Sequence, residues 1–143
     1  MLRALCWLGV VLVWVVSCDK SDSHDHEHEH AHPDPQHGGT LLEVGHEVAH
    51  VELVHDVAAG KVLLYVTGSD GKKALSIDPP TIKLTTDSGP QVIATTAVGG
   101  AGGKASEFEA MHDALKSDPL EGRLSLSIDG KAYNPELEHD HDH

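Results

Sequence analysis

The chain has 143 residues, 39% of them hydrophobic, with only two Trp, two Tyr and one Phe, and its 13 histidines outnumber its ten Lys plus Arg. That length supports one domain, and a formal net charge of −13 repels phosphate backbones and anionic headgroups, which argues against a nucleic-acid partner. Histidine, which takes up protons near neutrality and ligates transition metals when neutral, is the residue in excess.

At the N-terminus, Met1-Leu2-Arg3 sets one positive charge before an apolar run from Ala4 to Val16, the layout of a secretory signal. As a helix this run would reach roughly 20 Å, short of the ~30 Å hydrocarbon core, so a lasting transmembrane span is not expected. The run ends Val15-Val16-Ser17-Cys18, which resembles the bacterial lipoprotein cleavage box with Val15 where leucine is usual. That resemblance implies a signal over residues 1–18 and a lipidated Cys18 as the mature N-terminus; the alternative is an ordinary cleaved signal with an incidental cysteine. Several acyl chains on one residue give stable anchoring. Cys6 would leave with the signal, so no disulfide or thiolate metal site is expected. The implied location is the periplasmic side of a bacterial envelope, lipid-anchored. Asp19 resembles an inner-membrane retention signal, but the choice between inner and outer membrane stays open.

Residues 19–36 begin DKSDSHDHEHEHAHPDP, with six acids against Lys20 and no aliphatic side chain larger than Ala. Such a segment cannot bury enough apolar surface to offset its ordering entropy and reads as a disordered tether. The last eight residues, 136–143, read ELEHDHDH and repeat the composition.

Between the tails, residues 37–135 show a hydrophobic period of two. Val48 to Val54 and Val62 to Thr67 form a strand pair joined through Asp56 to Gly60, and Ser69-Asp70-Gly71-Lys72 is the next turn. Ile82 and Leu84, the turn Asp87-Ser88-Gly89-Pro90 and the β-rich Val92 to Val98 continue the pattern. Leu124, Leu126 and Ile128 alternate with polar residues before Asp129-Gly130 turns the chain into Lys131 to Tyr133, a β-hairpin. One segment departs from this period. Ser106 to Glu109 fits a capping box, and Phe108, Met111, His112 and Leu115 fall at helical spacing before Asp118-Pro119. This predicts a short helix, or a strand end followed by a single helical turn. The fold class is mainly β: a small immunoglobulin-like β-sandwich with one short helix, flanked by disordered His/acidic tails.

His24, His26, His28, His30 and His32 alternate with acids or Ala, so an extended chain lines imidazoles along one side and carboxylates along the other. Imidazole suits Zn²⁺, Cu²⁺ and Ni²⁺, and interleaved carboxylates concentrate cations around it, so the composition selects divalent transition metal, with zinc the leading candidate. Nine of the 13 histidines, those five with His37 at the domain edge and His139, His141 and His143, belong to the tails. A plain spacer needs only polarity, which Ser, Gly, Glu or Lys would supply. A vector-derived tag after Leu137-Glu138 is argued against by Asp140 and Asp142, which match the N-terminal tail. A second candidate set stands at the domain entrance: His46, His50 and Glu52, with His50 and Glu52 on one face of the strand from Val48. His112 is expected to cap or pack.

Gly99-Gly100-Ala101-Gly102-Gly103-Lys104 lacks the first glycine and the Ser/Thr of a phosphate loop and reads as a flexible loop. No Ser-His-Asp or Cys-His set has a recognisable spacing, and no catalysis is expected.

The motif His37-Gly38-Gly39, with Val44-Gly45, His50-Val51-Glu52-Leu53-Val54, Val62 to Val66 and Asp129-Gly130-Lys131-Ala132-Tyr133, resembles two groups. One is a set of small His-rich bacterial lipoproteins. The other is the β-rich N-terminal extension of periplasmic adaptor subunits of heavy-metal efflux systems. The resemblance implies an envelope protein near metal export, with the membrane and a heavy-metal efflux complex as partners; the chain has no coiled-coil hairpin or lipoyl-like segment, so it is not expected to be an adaptor itself. The alternative function is a non-catalytic immunoglobulin-like interaction module of the envelope.

Overall fold

A computed structural model describes residues 33–137. The signal with Cys18, the tether histidines His24, His26, His28, His30 and His32, and the terminal His139, His141 and His143 lie outside the described residues.

Among the described residues, nine strands build two antiparallel sheets. Strands β1 (Thr40–Val44), β2 (Ala49–Asp56) and β3 (Lys61–Gly68) form a meander, followed by β4 (Thr81–Thr86), β5 (Gly89–Ala94), β6 (Thr96–Ala97), β7 (Glu107–Met111), β8 (Gly122–Ile128) and β9 (Lys131–Tyr133). The first sheet has the order β1-β2-β3-β7-β6 and the second β5-β4-β8-β9. The expected β-sandwich is therefore the fold, and the hairpin turning at Asp129-Gly130 pairs Ile128 with Lys131 and Leu126 with Tyr133.

Alternation decides which side chains enter the core. Leu42 and Val44 of β1, Val51 and Leu53 of β2, Val62, Leu64 and Val66 of β3 and Phe108 of β7 point inward, where they meet Ile82, Leu84, Ile93, Leu124 and Leu126 of the second sheet in one buried cluster. With a single Phe in the chain, aliphatic side chains fill most of this core, and Phe108 is the largest fully buried one.

Of the two expectations for this segment, the strand end followed by a single helical turn is the one formed. Glu107–Met111 is a strand, with Phe108 and Ala110 buried and Glu107, Glu109 and Met111 turned outward, and only a 3-10 turn, Asp113–Lys116, follows. Pairing with β3 in register, Phe108 opposite Leu64, satisfies this backbone, and tertiary packing overrides the local helical spacing. His112 caps that turn, its Nδ1 accepting the Ala114 N–H at 3.1 Å. The glycine-rich stretch is the tip of the β6–β7 hairpin, closed by reciprocal backbone hydrogen bonds between Ala101 and Lys104.

Described structure extends past residues 37–135 on both sides. Leu137 is buried, its N–H donates to the Gly122 carbonyl, and Glu136 pairs with Arg123. At the other end, residues 33–39 form a strap that lies over the outer face of the first sheet, held by hydrogen bonds to Glu52 and Gly71.

Candidate functional site

Strand β2 is buried on both faces from Ala49 to Leu53. Its inward face carries Ala49, Val51 and Leu53, and its outward face carries His50 and Glu52. A carboxylate 5% exposed needs full compensation, because an unpaired buried charge is costly. The strap supplies it. Glu52 Oε1 accepts the N–H groups of His37 at 2.6 Å and Gly39 at 3.0 Å, while Oε2 accepts the N–H of Gln36 at 2.9 Å and lies 2.8 Å from His37 Nδ1. Two partners on each oxygen fill the lone-pair positions of a carboxylate. Burial alone pushes the Glu52 carboxyl pKa up, but the hydrogen bonds from Gly39, the His37 ring, Gln36 and the His37 backbone outweigh it and hold the group below the ordinary glutamate value.

The same contacts fix His37. An ionised carboxylate only accepts, so the proton between the two side chains sits on His37 Nδ1, which in the neutral imidazole leaves the lone pair on Nε2. The ring lies flat on Tyr65 of β3, centroids 3.7 Å apart and planes within 6°. Tyr65 stands opposite Glu52 in register, so one row of the sheet holds the carboxylate and the aromatic platform together. The His37 side chain remains 45% exposed, and among the described residues nothing hydrogen-bonds its Nε2.

Each residue of His37-Gly38-Gly39 now has a physical task. His37 stacks and donates, Gly38 takes a left-handed φ of +77°, and Gly39 presses against β2, where a Cβ would stand 2.7 Å from the Leu53 carbonyl carbon and 2.9 Å from Val54 Cγ2. Gln36 Nε2 donates to the Gly71 carbonyl at 3.1 Å, and so ties the strap to the turn after β3.

The expected set of His46, His50 and Glu52 is not assembled, and no group of three or more His, Cys, Asp or Glu placed to hold a metal ion occurs among the described residues. Glu52 has its lone pairs filled by the strap. His46 is exposed in the turn between β1 and β2. His50 is 2% exposed, with Nδ1 3.4 Å from the Gly68 carbonyl and a buried Nε2 that has no hydrogen-bond partner. His55 is structural, its Nε2–H donating to the Leu115 carbonyl at 2.6 Å.

Tyr65 and Gln36 escape sequence reasoning. The only trace of them is the register that places Tyr65 beside Glu52, and register requires the strand pairing to be known. Comparisons with protein-family models, with curated proteins and with solved structures found no match.

Proposed function

We propose that this protein is a lipid-anchored envelope protein that binds and buffers divalent transition metal, Zn²⁺ foremost, through its His/Asp/Glu tails, as an accessory to metal efflux. The observation that carries this reading is the placement of histidine: His24 to His32 alternate with Asp25, Glu27, Glu29 and Ala31, and His139, His141 and His143 alternate with Asp140 and Asp142. Alternating imidazole and carboxylate supplies borderline nitrogen ligands within an anionic field that gathers cations.

The sandwich supports this division of labour. Of its own histidines, His50, His55 and His112 are engaged in or sealed by the fold and His46 is exposed in the β1–β2 turn, whereas His37 is held at the surface next to the tether. The role is that of a binder and carries no catalytic assignment.

Calorimetric titration with Zn²⁺ of the full chain, and of variants lacking residues 19–32, 138–143 or both, tests the reading. Stoichiometry is expected to fall with each deletion. Unchanged stoichiometry after removal of both tails overturns it.

A further inference from the structure

We propose that the strap, residues 33–39, is an acid-released latch with His50 as its trigger: the closed strap accommodates only the neutral His50 ring, and a second proton on that ring opens it.

Strand register puts His50 under the path of the strap. Gly39 lies against Leu53, the N–H groups of Gln36 and His37 reach Glu52, and Gln36 Nε2 and Pro33 meet Gly71 in the turn after β3. The His50–Thr67 pair stands between the Glu52–Tyr65 pair and that turn, so the strap crosses it. His50 is buried there. A carbonyl only accepts, so the ring proton sits on Nδ1, facing the Gly68 carbonyl at 3.4 Å, and the lone pair is left on Nε2. That Nε2 is buried and has no hydrogen-bond partner among the described residues. A second proton would make it a charged donor without an acceptor, which a buried site tolerates poorly.

None of the charged groups around the ring supplies that acceptor. Glu43 of β1 stands opposite His50, but its Oε1 accepts the Glu47 N–H at 3.0 Å. Glu52, two residues along β2, has both oxygens filled by the strap. From β3, Thr67 Oγ1 donates to the His50 carbonyl at 3.5 Å. In the turn beyond, Asp70 Oδ1 accepts the Lys72 and Lys73 N–H groups, and Asp34 of the strap is exposed. By sign, Glu43 favours a charge on His50, whereas Lys72 and Lys73 oppose it. His37 on the strap already donates to Glu52, and a proton on its own Nε2 leaves that bond in place.

Opening removes the conflict at little cost in buried apolar surface. Residues 33–39 carry no aliphatic side chain beyond the prolines and are held by hydrogen bonds and one ring stack, the character of a segment that opens locally. In the open form a solvated imidazole takes up its proton near ~6.5. The open form then binds more protons than the closed one, so closure is favoured above that value and loses ground below it, by up to tenfold per pH unit. Glu52 stays ionised throughout this interval, because its carboxyl is held below the ordinary glutamate value. Release frees at most roughly 25 Å of chain ahead of the sandwich.

Hydrogen exchange of the full chain with chelator present, corrected for the intrinsic pH dependence of exchange, tests the latch. From pH 7.0 to 5.5 the open fraction read at the Gln36, His37 and Gly39 amides should rise about eightfold, while the amides of β4 and β8 keep their protection. His50→Phe keeps a buried planar ring without a titrating nitrogen and should abolish the rise. His37→Gln should retain it. A measurement on the parent chain stands beside these in case phenylalanine disturbs the sheet: the ring nitrogen resonances of His50 should report the charged form only in step with lost strap protection. Equal strap protection at the two pH values overturns the proposal. So does a rise that persists in folded His50→Phe or vanishes in His37→Gln, or a His50 ring that becomes charged while the strap amides stay protected.

Discussion

Gly39 and Leu53 lie backbone to backbone: the glycine sits where any Cβ would meet the Leu53 carbonyl group, and its N–H reaches the Glu52 carboxylate at 3.0 Å. The strap can approach the sheet this closely only because residue 39 has no side chain. Gly39→Ala must push against backbone, which cannot rotate aside, and should cost about 1–3 kcal/mol, the range for overpacking. Gly38 provides the control. It has nothing within 4 Å of a built Cβ, so Gly38→Ala bears only the cost of its φ of +77°, about 1–2 kcal/mol. Urea denaturation of both variants should place them in similar ranges, but hydrogen exchange at Gln36 and His37 should accelerate strongly only for Gly39→Ala.

Acid should release the strap through Glu52. Its folded pKa lies below the ordinary glutamate value, so the folded state holds the ionised form more tightly than the unfolded chain does. The stabilisation is fully present above the ordinary value near ~4.3 and is lost as pH falls through the lower folded value. Titrated with chelator present, the Gly39 and Gln36 amide resonances should show a carboxylate transition displaced below the ordinary glutamate value. Glu52→Gln should remove that transition. It should also weaken the fold by roughly 2–3 kcal/mol, as expected when hydrogen bonds to a charged group become bonds to a neutral one. Movement of these amides at the same pH in Glu52→Gln would assign the transition to other carboxylates, such as Asp70, which is also held below its usual value by the Lys73 and Lys72 N–H groups.

The sandwich was legible because period-two patterning is a local property. Val62, Leu64 and Val66 alternate with Leu63 and Tyr65 whatever they pack against. Phe108 to Leu115 was less legible, since Phe108, Met111 and Leu115 fit a helix and Phe108 and Ala110 fit a strand; the pairing with β3, distant in sequence, selects the strand. The candidate site was legible in composition but not in connection. His37 and Glu52 each stood out as metal-binding candidates, yet their hydrogen bond spans 15 residues and depends on a strap whose sequence, Pro33 to Gly39, carries no periodic signal. Glu52 read as a ligand because nothing in the sequence reveals that three backbone N–H groups already use its oxygens.

A core this poor in aromatics depends heavily on its one phenylalanine. Phe108 is fully buried, opposite Leu64 in the first sheet and beside Ala97 of β6 across the strand pair. Phe108→Ala should cost about 3–5 kcal/mol, against a total stability of roughly 5–15 kcal/mol for a domain of this size. The variant should therefore show a much lower urea midpoint, and near-neutral behaviour would mean that the sandwich core is packed differently. Met111 on the same strand is exposed, and Met111→Ala should change the midpoint little.

The two chemistries of the tails separate on the pH scale, and this distinguishes coordination from simple counter-ion binding. Free imidazole takes up a proton near ~6.5, whereas free Asp and Glu remain ionised down to about 4. Between those values the tails keep their carboxylate charge but lose their nitrogen lone pairs. Zn²⁺ held by imidazole should therefore dissociate between about pH 7 and 5.5, releasing into the medium metal that Asp25, Glu27, Glu29, Asp140 and Asp142 cannot retain alone. Ca²⁺, which prefers oxygen ligands, should bind weakly and with little change across the same interval. Equilibrium dialysis at pH 7.5 and 5.5 with each cation measures both. Zn²⁺ retention that is equal at the two pH values would assign the binding to carboxylates and deprive the histidines of their role.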